Sequence, residues 1–200
     1  MTRFDIHRSA RLGDLDALRS AVAAGADINE RDEFGATALK CAIAEKRVDA
    51  VMLLLDIGAD VSDQGKDGST ALHYAIEHKL PKVLEALVKN CPEAITISDK
   101  HGNQPLWTAA FNARGDYEMV SMLLNCGADP EHINNVSLSP LDIPKRKGEP
   151  ALLQLLESKV EGRKGVRSEW HCRRPNSCQS LPLPERSRSR STWRGSCMSG

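Results

Sequence analysis

Within Ala38–Ala44 the apolar residues Leu39, Ala42 and Ile43 share one helical face, and the polar residues Glu45–Arg47 interrupt them. A second stripe then presents Val48, Val51, Met52, Leu54 and Leu55 at helical spacing. The pattern predicts two short helices joined by a turn. Thr37 stands where a side-chain oxygen caps the first helix, and Gly58 where a left-handed residue ends the second. The polar stretch "ADVSDQGKDG", residues 59–68, brings the chain back to a hairpin and a new start at Thr70–Leu72. Neither helix can bury its apolar stripe by itself, so such units have to stack.

The restart is periodic. "TAL" at Thr37–Leu39 and at Thr70–Leu72 is followed by "QPL" at Gln104–Leu106 and "SPL" at Ser139–Leu141, at intervals of 33, 34 and 35 residues. Gly35, Gly68 and Gly102 each precede a start by two positions. "GAD" recurs at Gly25–Asp27, Gly58–Asp60 and Gly127–Asp129, first after 33 residues and then after 69, close to two periods.

These marks resemble the ankyrin repeat, with its Thr-Pro-Leu-His-x-Ala helix start and Gly-Ala-Asp ending. The nearest copies are "STALHYAI" (Ser69–Ile76) and "LLLDIGADV" (Leu53–Val61). The resemblance covers residues 4–158 as about five units, near 2–31, 32–64, 65–98, 99–133 and 134–158. It implies an all-α solenoid of stacked helix-turn-helix units with β-hairpin or turn connections. Repeat one lacks the Thr-Pro start, and repeat five lacks the Gly-Ala-Asp ending. Repeat three reads "CPEA" (Cys91–Ala94) at that ending, with one residue added. Irregular end units suit a stack that must turn two faces to solvent. Gly115-Asp116, part of an Arg-Gly-Asp triplet, falls at the turn between the helices of repeat four. There it matches Gly13-Asp14 and Lys46-Arg47, and reads as punctuation rather than as an adhesion motif.

Composition fits this picture and adds an asymmetry. Aromatic residues are only 4% of the 200, which an Ala- and Leu-rich stack tolerates. The net charge of zero divides unevenly: residues 1–160 hold 18 Lys and Arg against 24 Asp and Glu, a net −6, and residues 161–200 are +6. That basic segment, rich in Arg, Ser and Pro, has no apolar periodicity and is expected to be disordered or foreign to the repeat body. The longest apolar run is Ala50–Leu55 and no apolar leader opens the chain, so an intracellular, cytoplasmic protein away from membranes is expected. Six scattered cysteines agree with a reducing setting.

Catalytic and metal chemistry find little support. His7 and His73 occupy the family's His position, where the resemblance implies structural hydrogen bonds. His78, His101 and His132 are expected on exposed turns without carboxylate or thiol partners at ligand spacing. "HCRRPNSC" (His171–Cys178) lacks the further ligands a zinc site needs. No phosphate loop, nucleophile elbow or His-Glu-x-x-His motif appears. The expectation is a non-enzyme with no cofactor and no small-molecule substrate.

A partner protein is the expected ligand. A stack of helix pairs is concave on the side of its hairpins and first helices. The resemblance places contact positions at Glu33, Phe34, Ala36, Ala44 and Glu45 in repeat two, and at Lys66, Asp67, Ser69, Glu77 and His78 in repeat three. In repeat four it places them at Lys100, His101, Asn103, Phe111 and Asn112. Trp107 takes the His position of repeat four, one turn before Phe111, and either joins it as an interface anchor or fills space beside the lengthened turn. The acidic body suits a basic partner, and one specific version is an inhibitor or immunity-type protein covering a toxin or another enzyme. The alternative is a nucleic-acid-associated or regulatory adaptor acting through "RSRSRS" (Arg186–Ser191), with nucleic acid not otherwise expected.

Overall fold

Ten α-helices in five antiparallel pairs follow the repeat pattern in a computed structural model that describes residues 5–165, with side chains to residue 160. The pairs are α1 (Ile6–Leu12) with α2 (Leu15–Ala23), α3 (Ala38–Ala44) with α4 (Val48–Asp56), and α5 (Ala71–Glu77) with α6 (Pro81–Asn90). After them come α7 (Pro105–Asn112) with α8 (Glu118–Asn125), and α9 (Asp142–Lys147) with α10 (Pro150–Gly165). First helices stack in the order α1, α3, α5, α7, α9, and second helices in the order α2, α4, α6, α8, α10. Among the described residues no strand forms, and the hairpin connections keep one isolated bridge, Arg31 to Thr37. The backbone stays helical to Gly165, past the boundary expected at residue 160. The remaining expectations for the basic C-terminal segment lie outside the described residues.

Local chemistry sets the ends of each helix. In repeat one the Thr position is Phe4, and Asp5, one residue on, caps α1 by accepting from the N–H groups of His7 and Arg8 at 3.1 Å. Before α5, His73 Nδ1 accepts the Thr70 N–H at 3.2 Å, so the family's His holds the cap from inside the helix. Three second helices end alike. Gly25, Gly58 and Gly127 have φ of 86°, 91° and 94°, and the following Ala26, Ala59 and Ala128 each donate back to the carbonyl five residues earlier at 2.9–3.0 Å.

The core is a ladder across repeats. Ile6, Leu39, Leu72 and Leu106 occupy one rung of the first helices, and Ala21, Leu54, Leu87 and Leu123 one rung of the second, all buried. Ser9, Ala42, Ala75 and Ala109 fill another first-helix rung. Those small residues let adjacent helices approach without aromatic filler, which accounts for a core so poor in rings.

Irregular units depart where the sequence does. In place of a Gly-Ala-Asp ending, α6 stops at Cys91 and a 3-10 turn, Pro92–Thr96, absorbs the added residue. Gln104 Nε2 then donates to the Thr96 carbonyl at 3.0 Å. The Ser-Pro-Leu start of repeat five leads one to expect a helix from Pro140, yet α9 begins at Asp142. Pro144 has no N–H to give the Pro140 carbonyl, so the opening turn closes through the tighter bonds Asp142 N to Ser139 O and Ile143 N to Pro140 O. The Arg-Gly-Asp triplet is a turn: Arg114 and Gly115 have φ of 43° and 88°, and the Asp116 carboxylate accepts the Glu118 N–H at 3.1 Å.

Two left-handed glycines should separate strain from steric clash. A Cβ on Gly58 meets nothing within 4 Å, so Gly58→Ala should cost only the left-handed penalty, about 1–2 kcal/mol. A Cβ on Gly68 would lie 2.6 Å from the Lys100 N and 2.9 Å from the Asp99 carbonyl carbon, both backbone atoms. Gly68→Ala should therefore lose roughly 1–3 kcal/mol more, read by thermal and urea denaturation. Equal losses would disprove the close approach of the two hairpins.

Candidate interaction site

The hairpin turns are built on one side-chain device. Asp32 Oδ1 accepts from the N–H groups of Phe34 (3.0 Å) and Ala36 (2.9 Å), and Asp99 Oδ1 from those of His101 (2.8 Å) and Asn103 (2.9 Å). Asn134 Oδ1 repeats this with Val136 and Leu138. Burial alone would raise the Asp32 carboxyl, but those bonds hold it below the ordinary range. Repeat three has Gly65 at this position, and Asp67 substitutes by accepting from Ser69 N at 3.1 Å. Successive turns are tied together: Lys100 N donates to Asp67 O (2.9 Å) and Asn135 N to His101 O (3.0 Å). Lys66 Nζ reaches the Glu33 carbonyl at 2.6 Å.

Behind the hairpins lies the family's His position. His73 Nε2 donates to the Asn103 carbonyl at 3.1 Å and His7 Nε2 to that of Glu30 at 2.8 Å, which gives both rings the structural role expected. Burial pushes the His73 imidazolium down, so the ring is neutral. In repeat two the position holds Lys40, whose side chain is 1% exposed. Its ammonium sits 2.8 Å from Asp63 Oδ2, and Asp63 Oδ1 takes Arg31 Nε at 3.0 Å. Burial pushes the Asp63 carboxyl up, but the bonds from Lys40 and Arg31 overcome it and hold the group below its usual range. Sequence reasoning passed over Lys40. The signal was its place at the His position.

Of the expected contact residues, Glu33, Phe34, Glu45, Lys66, Glu77, Lys100, His101 and Phe111 are exposed. Asp67, His78, Trp107 and Asn112 are half-buried. Lys66 is exposed yet engaged, its ammonium held on the Glu33 carbonyl. His78 is not a free turn residue: it caps α5 with its ring 6.5 Å from that of Tyr74. His132 likewise is half-buried and donates to the Gly102 carbonyl at 3.1 Å. Burial, then the charges of Asp67 and Glu77, raises the Tyr74 phenol, so these three groups share one acidic neighbourhood.

Repeat four differs in character. The rings of Trp107 and Phe111 stack at 5.2 Å between centroids and 10° between planes. Trp107 packs against the core, its Nε1 buried without a hydrogen-bond partner, while Phe111 stays 50% exposed. The Lys147 ammonium lies 4.5 Å from the Phe111 ring centre and donates to the Phe111 carbonyl at 2.5 Å. Leu138 and Ile143 complete a pocket of about 150 Å³ between α7 and α9, with Arg146 and Lys147 at its edge. Sequence reasoning stopped at repeat four and missed this wall. Leu138, Arg146 and Lys147 fall 35 residues after Asn103, Phe111 and Asn112, so extending the same positions by one repeat reaches them.

Near α1 the polar groups engage one another. A wider hollow of about 500 Å³ near α1 holds the Arg11–Asp32 pair at 2.6 Å and the engaged His7. Beside it, burial pushes the Cys41 thiol up to about 11, which leaves it protonated and unreactive at neutral pH. Among the described residues no group of three His, Cys, Asp or Glu side chains is arranged to hold a metal ion, and no helix is long and apolar enough to cross a membrane.

Two family models match the chain. The model described as ankyrin repeats (3 copies) covers residues 6–99, and that described as ankyrin repeat covers residues 101–135. Helices α9 and α10 lie beyond the matched segments.

The buried ion pair gives a signed test. Asp63→Ala should destabilise by about 3 kcal/mol, because it strands the Lys40 ammonium in the interior. Lys40→Met should cost less than about 1.5 kcal/mol, since the charge leaves with the side chain and Asp63 keeps Arg31. The folded-state pKa of Asp63 is depressed, so its contribution is complete above the ordinary value of 3.8 and is lost as pH falls below it. Acid titration of urea stability should therefore be shallower below that pH in Asp63→Asn than in the parent. A Lys40→Met loss equal to that of Asp63→Ala would contradict this account.

Proposed function

Since the chain belongs to the ankyrin repeat family, we propose that it is a non-catalytic module that holds another protein on its concave face of hairpin turns and first helices. Ankyrin repeats are in general protein–protein interaction modules. The observation that carries the reading to particular residues is Phe111, a large apolar ring left half exposed on a stacked Trp107 amid exposed charges. Aromatic anchors beside energetically neutral polar neighbours are how such surfaces concentrate affinity.

Charge supports a finer reading. Glu33, Glu45 and Glu77 are exposed on repeats two and three, with the half-buried Asp67 beside them. That acidic stretch favours encounter with a basic surface. An inhibitor or immunity-type role, in which the module covers the working surface of a toxin or another enzyme, fits this arrangement of charge. Expected contacts are Glu33, Phe34, Glu45, Asp67, Glu77, His78, Lys100, His101, Trp107, Phe111 and Asn112. Lys66 contributes by fixing the hairpins rather than by reaching out.

The test is affinity capture with the intact chain, mass spectrometry of what stays bound, and titration of the captured protein against variants. Phe111→Ala should weaken binding at least about tenfold, mainly through faster dissociation, with the melting temperature little changed. Glu33→Lys with Glu77→Lys should slow association of a basic partner and flatten its salt dependence. Unchanged binding in all these variants would remove the face from consideration.

A further inference from the structure

The balance of charge shifts along the proposed face. Its expected contact positions in repeats two and three expose Glu33, Glu45 and Glu77 beside the engaged Lys66, whereas repeats four and five expose Lys100, Lys145, Arg146 and Lys147 beside Glu131. The apolar pocket lies in the basic half. Its lining is Trp107, Phe111, Leu138 and Ile143, with the cations Arg146 and Lys147 from the end of α9 and one carboxylate, Asp142, which is occupied by the Ser139 N–H and hydroxyl at 2.8 Å. Arg146 forms no ion pair among the described residues, although with Lys145 it lowers the carboxyl of Asp142, which is itself held chiefly by Ser139. Lys147 is engaged with the ring and carbonyl of Phe111. One guanidinium therefore stands beside an apolar opening of about 150 Å³, room for a single aliphatic or aromatic side chain.

The geometry points to an acidic segment of a partner protein as the occupant, with one apolar side chain inserted between α7 and α9 and a neighbouring carboxylate on Arg146. This rests on the reading of the face as protein-binding, and it adds that the partner presents opposite charges to the two halves. The charge argument disfavours two other occupants. The chain's own residues 161–200 carry +6, and a second copy docked with α9 on α9 would set like charge on like; an antiparallel copy is the outcome that a concentration-dependent Trp107 shift detects. A guanidinium at an apolar rim discriminates through a charge-assisted, bidentate contact with a carboxylate.

The probes are short peptides with a central Leu-Phe flanked by glutamates, the same core flanked by lysines, and glutamates around Gly-Gly. They are titrated into the full chain and followed by fluorescence polarisation and by the indole N–H resonance of Trp107, assigned with Trp107→Phe. The glutamate-flanked Leu-Phe peptide should shift that resonance and bind at least about tenfold tighter than either other peptide. Arg146→Glu should abolish the preference, and Phe111→Ala should weaken binding by a similar factor, with the remaining amide resonances unmoved. Equal or tighter binding of the lysine-flanked peptide overturns the inference while leaving the protein-binding face intact. So does displacement by a peptide of residues 180–191, or a Trp107 shift that depends on protein concentration alone. If no peptide binds but the captured partner still depends on Phe111, only the acidic occupant is lost. If the captured partner also ignores Phe111, both readings fail.

Discussion

Every element of this protein depends on a neighbour to cover it. A seven-residue helix such as α3 is too short to persist alone in water, and its apolar stripe is useful only against α1 on one side and α5 on the other. The rungs Leu39, Leu72 and Leu106 show the consequence, since each is buried by the units before and after it. Burying one such side chain contributes about 1.5–3 kcal/mol, and the contribution exists only when the stack is assembled. Stability is therefore shared between units, and the end units are where the pattern is allowed to fail.

The hairpins obey the same constraint with polar groups. Their tips cannot hide in a core, so Asp32, Asp99 and Asn134 close each turn from within, and backbone bonds then tie one turn to the next. Where repeat three breaks the rule with Gly65, Asp67 closes the turn. One repeat earlier the family's His gives way to Lys40, and Asp63 supplies the counter-charge. A buried ammonium is tolerated only with such a partner, so the Lys40 departure from the consensus depends on Asp63 near the end of the same repeat.

Function follows from what this order leaves over. The repeat consumes backbone groups, His rings and small apolar residues, and the surplus is the set of side chains the stack does not need. Phe111 is the largest of these beside a pocket, and the expected contact positions around it shift from mainly acidic to mainly basic along the face. A scaffold whose rigidity comes from periodic residues is free to vary the others, which is how one architecture serves different partners.

Much of this was legible before any coordinates. Period, helix pairing, glycine caps and the buried rungs follow from spacing, because local turn chemistry and a one-dimensional stack leave few alternatives for such a pattern. The family resemblance put Glu33, Phe34, Glu45, Glu77, Lys100, His101 and Phe111 at positions that are exposed, and Trp107 and Phe111 stood out by being rare. The delayed start of α9 was harder to see, since it turns on one missing N–H in Pro144. Tertiary structure alone decided the rest. That Lys66 is tied to a carbonyl, that Lys40 pairs with Asp63, 23 residues on, and that Lys147 caps Phe111 depend on which groups, distant in sequence, arrive at one point. Spacing within a repeat sets the face a residue occupies, but only the stacking distance between repeats sets what it meets there.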